Sequence, residues 1–295
     1  MDSTAPRRSE PYTHAWLAST AAKTSYILDN LHIPHVIWGD AVFGYLGLQL
    51  TITSSDYVIE DEFFAVAVHT LSTFPEGLDF CCQAPDPTDI TSTNTSPPCT
   101  WHSHPRSKGT LLPDAHFIVN DKHHLHLYRK SRLLWWVPRL QEPRDEEDSL
   151  FMCTCDPRLP PPRATEHRGG PGRGPTDLAA THYPVPMLKP HVYAAALVFL
   201  AVRNVAHEIE AHWDNELDKM AAAIAVCPLY RQRDVPDVFL EFVARREDTY
   251  VSLTIFTALW RQLQERMPPA EGEPVKDYRR RRRWLEKWRG GDLPC

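Results

Sequence analysis

Between Ile33 and Glu60 the chain reads IPHVIWGDAVFGYLGLQLTITSSDYVIE, and this order leaves few folds open. A short apolar run, Ile33 to Trp38, meets Gly39. Asp40 then stands where a helix N-cap accepts backbone N–H groups, Phe43 and Leu46 fit the buried side of a short helix, and Gly47 fits its end. Thr51 to Ile59 is rich in β-branched residues and predicts a second strand, closed by Glu60-Asp61 at the start of a further helix. Strand, tight turn, helix and strand in this order predict an α/β (α+β) fold. One carboxylate lies beside the turn and others lie in or after the second strand, a layout that can hold a nucleotide or a metal.

A later strand is predicted at His123 to Tyr128, HHLHLY. Strict alternation puts His124, His126 and Tyr128 on one face and Leu125 and Leu127 on the other.

These segments resemble the nucleotidyltransferase superfamily, in which a Gly-Gly or Gly-Ser turn opens a helix and the next strand carries two aspartates one residue apart. Here Gly39-Asp40 stands at the turn and Ser54-Ser55-Asp56 at the paired aspartates, so one metal carboxylate is replaced by serine. The resemblance covers roughly residues 15–140 and looks closest to a poorly characterised fungal group with a degenerate site. It implies a mixed sheet with flanking helices, a helical partner subdomain, and Mg²⁺ ions orienting a triphosphate. The third acidic residue, which the family takes from a later strand, is imidazole here. The resemblance therefore implies the fold and a departure from ordinary nucleotidyl transfer.

Bulk properties narrow the classes. The 295 residues suffice for one large domain or two modest ones, with a net charge of -6 that speaks against a dedicated nucleic-acid binder. No run of about 18 apolar residues and no leader pattern is present, so a cytoplasmic protein with no membrane partner is expected. The 7 cysteines are odd in number and lack a secreted-scaffold spacing, which fits reduced thiols.

Along the chain, residues 1–14 read as a disordered N-terminus, 15–140 as the nucleotidyltransferase-like domain, 141–187 as a Pro/Gly-rich linker, 188–267 as a helical subdomain and 268–295 as a basic tail. Ala15 to Leu31 predicts an amphipathic helix burying Leu17, Ala21, Ile27, Leu28 and Leu31. The segment EFFAVAVHTLSTF predicts a helix lying on the sheet, and residues 84–115 a long insertion or lid.

The expected catalytic set is Asp40, Asp56 and Glu60, backed by His124 and His126, with Gly39, Ser54, Ser55 and Tyr128 binding substrate. Asp56 and Glu60, four apart, share a face if the strand runs straight. The bland alternatives are an N-cap for Asp40 and a helix start for Glu60. Cys99, His102, His104 and His116 supply zinc-type ligand chemistry without zinc-finger spacing, which favours an incidental cluster and no metal site. Cys153-x-Cys155 is not the Cys-x-x-Cys of redox proteins and reads as structural thiols. In the tail, Arg279, Arg280, Arg281, Arg282 and Arg283 precede Trp284 and Trp288, an arrangement able to grip RNA through phosphates and stacked bases, or to form a final amphipathic helix.

Three functions fit this reading. The first is a transferase acting on a nucleotide-activated or nucleotide-containing substrate, with Mg²⁺ weakly supported and the cofactor otherwise unknown. The second is a tRNA-dependent aminoacyl transferase of secondary metabolism, analogous to arginine-containing cyclodipeptide synthases, with Asp56 and Glu60 as acceptors for a guanidinium. The third is a non-catalytic binding protein on a decayed enzyme scaffold.

Overall fold

The computed structural model describes residues 13–48, 50–73, 79–83, 111–120, 123–140, 150–160, 183–204, 210–227, 229, 268–269, 276–280 and 283. They build a 7-stranded mixed sheet flanked by helices. Its strands are β1 (His35–Trp38), β2 (Ser54–Ile59), β3 (Asp79–Gln83), β4 (Ala115–Asn120), β5 (His123–Arg129), β6 (Phe151–Cys153) and β7 (Pro186–Leu188). The spatial order is β3-β4-β5-β2-β1-β7-β6. β2 runs parallel to β5 and β1 parallel to β7, while the remaining neighbours are antiparallel.

The helices are α1 (Thr13–Asn30), α2 (Asp40–Tyr45), α3 (Phe64–Thr73), α4 (Lys130–Leu133), α5 (Pro190–Arg203) and α6 (Glu210–Val226). α1 lies against the face of β2 that carries Tyr57, whose hydroxyl donates to the Ala21 carbonyl at 2.7 Å. Ala21, Ile27 and Leu28 are buried as the spacing predicts, but Leu31 is 47% exposed because the chain leaves the helix at Asn30. α2 ends as expected: Gly47 has φ 95°, and the Gly47 and Leu48 amides donate to the Gly44 and Phe43 carbonyls. This 5→2 and 6→1 pair closes the helix in a left-handed cap.

α3 follows a short 3-10 turn, Asp61–Phe63, and buries Phe64, Ala67, Val68 and Leu71. The apolar cluster after β5 closes the sheet through buried Leu133, Leu134, Val137 and Leu140.

One expectation changes. The span read as a linker, residues 141–187, contains β6 and most of β7, which complete the sheet. These strands have only three residues each and β7 begins with proline, so their pattern is too short to register; their place is fixed by β7 pairing with β1 and β6 with β7. The described part of the helical segment also packs directly on the sheet. Tyr193 of α5 lies against Trp38 at 4.6 Å between ring centroids, and the Arg203 guanidinium stacks on Trp135 and donates to the Arg132 carbonyl. Pro190 occupies the first turn of α5, where its missing N–H costs no helical bond. Among the described residues no helix is long and apolar enough to cross a membrane.

Candidate functional site

The site is assembled by strand register. Asp56 of β2 stands opposite Trp38 of β1 on one side and His126 of β5 on the other, and His126 stands opposite His116 of β4. Paired residues of neighbouring strands share a sheet face, so Trp38, Asp56, His126 and His116 form one row across four strands. His124 and Tyr128 flank His126 on the same face, as the alternation predicts.

Gly39 turns the chain at the head of this row. Its φ of 69° and ψ of -149° belong to a region open in practice to glycine alone. A Cβ there would lie 2.6 Å from Asp56 Oδ2, so the missing side chain is what lets the turn touch the carboxylate. The Gly39 amide donates to the Tyr193 hydroxyl at 3.2 Å, joining the turn to α5. Asp56 Oδ1 lies 2.9 Å from His126 Nδ1, yet no donor is aligned on this buried oxygen within the fold, so the contact is a close approach short of a formed hydrogen bond.

Asp40 is not an N-cap. Gly39 holds that position without a side-chain cap bond, and Asp40, the first residue of α2, accepts from Lys219 Nζ of α6 at 2.5 Å. Lys219 also donates to Glu216 at 2.8 Å. Burial opposes the charge of Lys219, but Glu216 and Asp40 outweigh it and raise the ammonium pKa. Burial pushes Glu216 up to about 7 against the opposing pull of Lys219, with Asp40 and Asp56 adding to the rise. Burial also draws His212, on the same helix, down to about 4, helped by Lys219 and resisted by Asp56. A carboxylic acid whose pKa burial raises toward neutrality, beside a lysine, a histidine and a strand aspartate, is an arrangement able to support proton transfer.

The imidazoles form a contiguous group. His116 Nε2 and His124 Nδ1 are 2.9 Å apart, and His116 and His126 ring centroids are 5.2 Å apart. Burial lowers the His124 pKa, and His126 and His123 lower it further. Tyr128 and Tyr193, fully buried beside the carboxylates, have their pKa values raised by burial and then by the neighbouring negative charge, so both remain phenols.

Several expected site residues lie elsewhere. Glu60 falls outside the cleft: β2 ends at Ile59, and its carboxylate accepts from the Leu140 amide at 2.8 Å and pairs with Lys130 at 3.3 Å. The strand stops before the spacing of four can place Glu60 beside Asp56. Ser55 is buried on the α1 face of β2, away from the cleft, whereas Ser54 lies opposite His124 on the Asp56 face. In the tail, Arg279, Arg280 and Arg283 are exposed, and Arg283 Nε donates to the Arg279 carbonyl at 3.3 Å. Arg281, Arg282, Trp284 and Trp288 lie outside the described residues, as do Cys99, His102, His104 and the expected lid at 84–110.

Sequence reasoning missed Lys219, Glu216, His212 and Tyr193. The signal was present in HEIEAHWDNELDKM, where Glu216 and Lys219 are three apart on one helical face. Nothing local shows that this face turns inward.

No protein-family model and no curated protein matches the chain. Among solved structures the chain is similar to the crystal structure of an antigenic nucleotidyltransferase-like protein from Paracoccidioides brasiliensis, at 11% identity, over 86% of this chain and 94% of that one, with a TM-score of 0.38.

Proposed function

We propose that the chain is a transferase of nucleotidyltransferase-like architecture that acts on a nucleotide-activated or nucleotide-containing substrate by proton transfer at Asp56. The observation that carries this reading is the contact of Asp56 with both the Gly39 turn and His126, with Tyr193 bonded to that turn and the Glu216–Lys219 pair bonded to Asp40 beside it.

The donors present do not fit paired Mg²⁺ ions. Ser54 replaces one strand carboxylate and β5 offers imidazole, which suits zinc, copper or iron better than magnesium. Among the described residues no three His, Cys, Asp or Glu side chains are placed to hold a metal ion. The chemistry then falls to the side chains. Asp56, with a buried oxygen that no donor satisfies, accepts the proton of an attacking hydroxyl or amine. Glu216, poised at about 7, returns a proton to the leaving group, and Lys219 offsets negative charge that develops there.

Equilibrium binding of ATP, GTP, CTP and UTP to the full chain, with Lys219→Met alongside, tests this reading. Binding of at least one nucleotide, weakened about tenfold or more in Lys219→Met, is expected. No binding of any of the four would discard it.

A second reading, aminoacyl transfer from charged tRNA, is favoured by the exposure of Arg279, Arg280 and Arg283, whose charged ends are accessible to phosphate although Arg280 approaches Asp277 at 4.0 Å. Binding of bulk charged tRNA across a salt series, compared with a chain ending at Glu273, is its test. A steep salt slope that vanishes with the tail is expected, and salt-independent or tail-independent binding would remove it.

A further inference from the structure

β6 ends in a turn that carries two cysteines. Cys153 closes the strand, Cys155 follows two residues on, and the Asp156 amide donates to the Cys153 carbonyl at 3.0 Å. Thr154 between them is buried and held from both directions by Val185: its amide donates to the Val185 carbonyl at 2.9 Å, and its hydroxyl accepts from the Val185 amide at 3.1 Å. Residues two apart in a strand have Cα atoms about 6.7 Å apart. The turn closed by the Asp156 amide bends this stretch, and a disulfide spans about 4.4–6.8 Å.

Both cysteines are free thiols, Cys155 exposed and Cys153 partly buried. Their mutual interaction lowers the Cys155 pKa and, with burial, raises that of Cys153. An exposed thiol thus lies two residues from a recessed one across a single turn, and the recessed thiol is the candidate to resolve its adducts. The site is on the edge strand β6, three strands away from β2 and its Asp56 cleft.

We propose that Cys153 and Cys155 form a thiol–disulfide exchange site whose substrate is a low-molecular-weight disulfide such as glutathione disulfide. The Cys155 thiolate attacks one sulfur of the substrate, the substrate S–S bond breaks, and one glutathione leaves as a thiolate that takes a proton from water. Cys153 then releases its proton to water and attacks the Cys155 sulfur, forming the protein disulfide and expelling the second glutathione, which is protonated in turn. Two protein thiols are oxidised to one disulfide while one small disulfide is reduced to two thiols, so electrons and protons balance. Cys-x-Cys lacks the extra residue of the usual redox motif, and here a turn bends the stretch between the two cysteines.

The test equilibrates the full chain in glutathione buffers of increasing oxidising strength, blocks remaining thiols by alkylation and digests with trypsin. The fragment DEEDSLFMCTCDPR contains both cysteines and no other. The expected product is this fragment lighter by two hydrogen atoms, without alkylation and without glutathione. A fragment that retains glutathione, or that is alkylated on both sulfurs in the most oxidising buffer, overturns the proposal. Two single variants fix the order of attack: Cys153→Ser is expected to trap glutathione on Cys155, while Cys155→Ser leaves Cys153 alkylated. Glutathione acquired equally by the two variants overturns the assignment of Cys155 as the attacking thiol.

Discussion

The two faces of β2 carry polar groups of the same kinds and treat them in opposite ways. Toward α1, Tyr57 donates to the Ala21 carbonyl, His35 Nδ1 meets the Ile33 carbonyl at 2.9 Å, and His35 Nε2 meets the Ser25 hydroxyl at 3.0 Å. Ser25, His35 and Asp29 invite comparison with a hydrolytic triad, but Ser25 is 0% exposed and Tyr57 packs over it, 3.5 Å from its hydroxyl. Toward α5 and α6, Asp56 keeps a buried oxygen without an aligned donor, and Glu216 is held near neutrality. Tyr57, His35 and Ser25 are hydrogen-bonded on one face and specify the packing of α1, whereas on the other the buried oxygen of Asp56 and the raised pKa of Glu216 carry the proposed proton transfer. Residue type alone does not separate the two, but partners do.

The sharpest way to break this contrast is Asp56→Asn, which retains shape and removes the base. On the substrate found by the nucleotide or tRNA binding series, turnover is expected to fall about 10²–10⁴-fold with little change in the urea midpoint. A large loss of stability with unchanged turnover would make both faces structural.

Next in size is Gly39→Ala, which places a Cβ against Asp56 Oδ2 in a backbone region hostile to side chains. A cost of about 1–3 kcal/mol in urea unfolding is expected, together with impaired ligand binding from the displaced carboxylate. Tyr57→Phe on the opposite face should cost about 1 kcal/mol by removing the hydroxyl's bond to the Ala21 carbonyl, with no effect on ligand binding.

The pH dependence sharpens the comparison further. Glu216 has a folded pKa above its unfolded value, so its contribution is fully present below about 4.5 and is lost as pH rises toward 7. His212 is depressed, so its contribution is present above about 6.5 and is lost as pH falls toward 4. The two oppose one another across this window. Glu216→Gln should therefore gain stability relative to the unmodified protein as pH is raised from 5 to 7, measured by urea midpoints at each pH. A difference that is flat, or that falls with pH, would remove Glu216 from the titrating group. The smallest effect is expected from Ser55→Ala: its hydroxyl is buried on the α1 face without a partner, so the change should lie within about 0.5 kcal/mol of neutral or stabilise slightly.

How far the sequence discloses this arrangement depends on the range of the signal. The Gly39 turn, α2, β2 and the alternating histidines of β5 are local patterns, and each appears where its period predicts. Asp56 and His126 meet because two such strands pair in parallel, which the order of elements suggests. Glu60 fails because a strand end is a one-residue matter that periodicity does not resolve. Lys219 and Glu216 were hidden since charged residues at helical spacing look alike whether they face water or a carboxylate from another element. The short strands β6 and β7 owe their existence to partners far along the chain.

That last dependence bears on how the molecule is made. The strand that delivers Gly39 to the site is flanked early by β2, but its other flank waits for Met187 opposite Ile37. During synthesis, β1 presents an open row of amides and carbonyls until the ribosome has passed that residue, so the half of the sheet that carries Asp56 spends most of its birth with an adhesive edge. A chain cut before β7 is expected to aggregate even though every residue of β1, β2 and β5 is present.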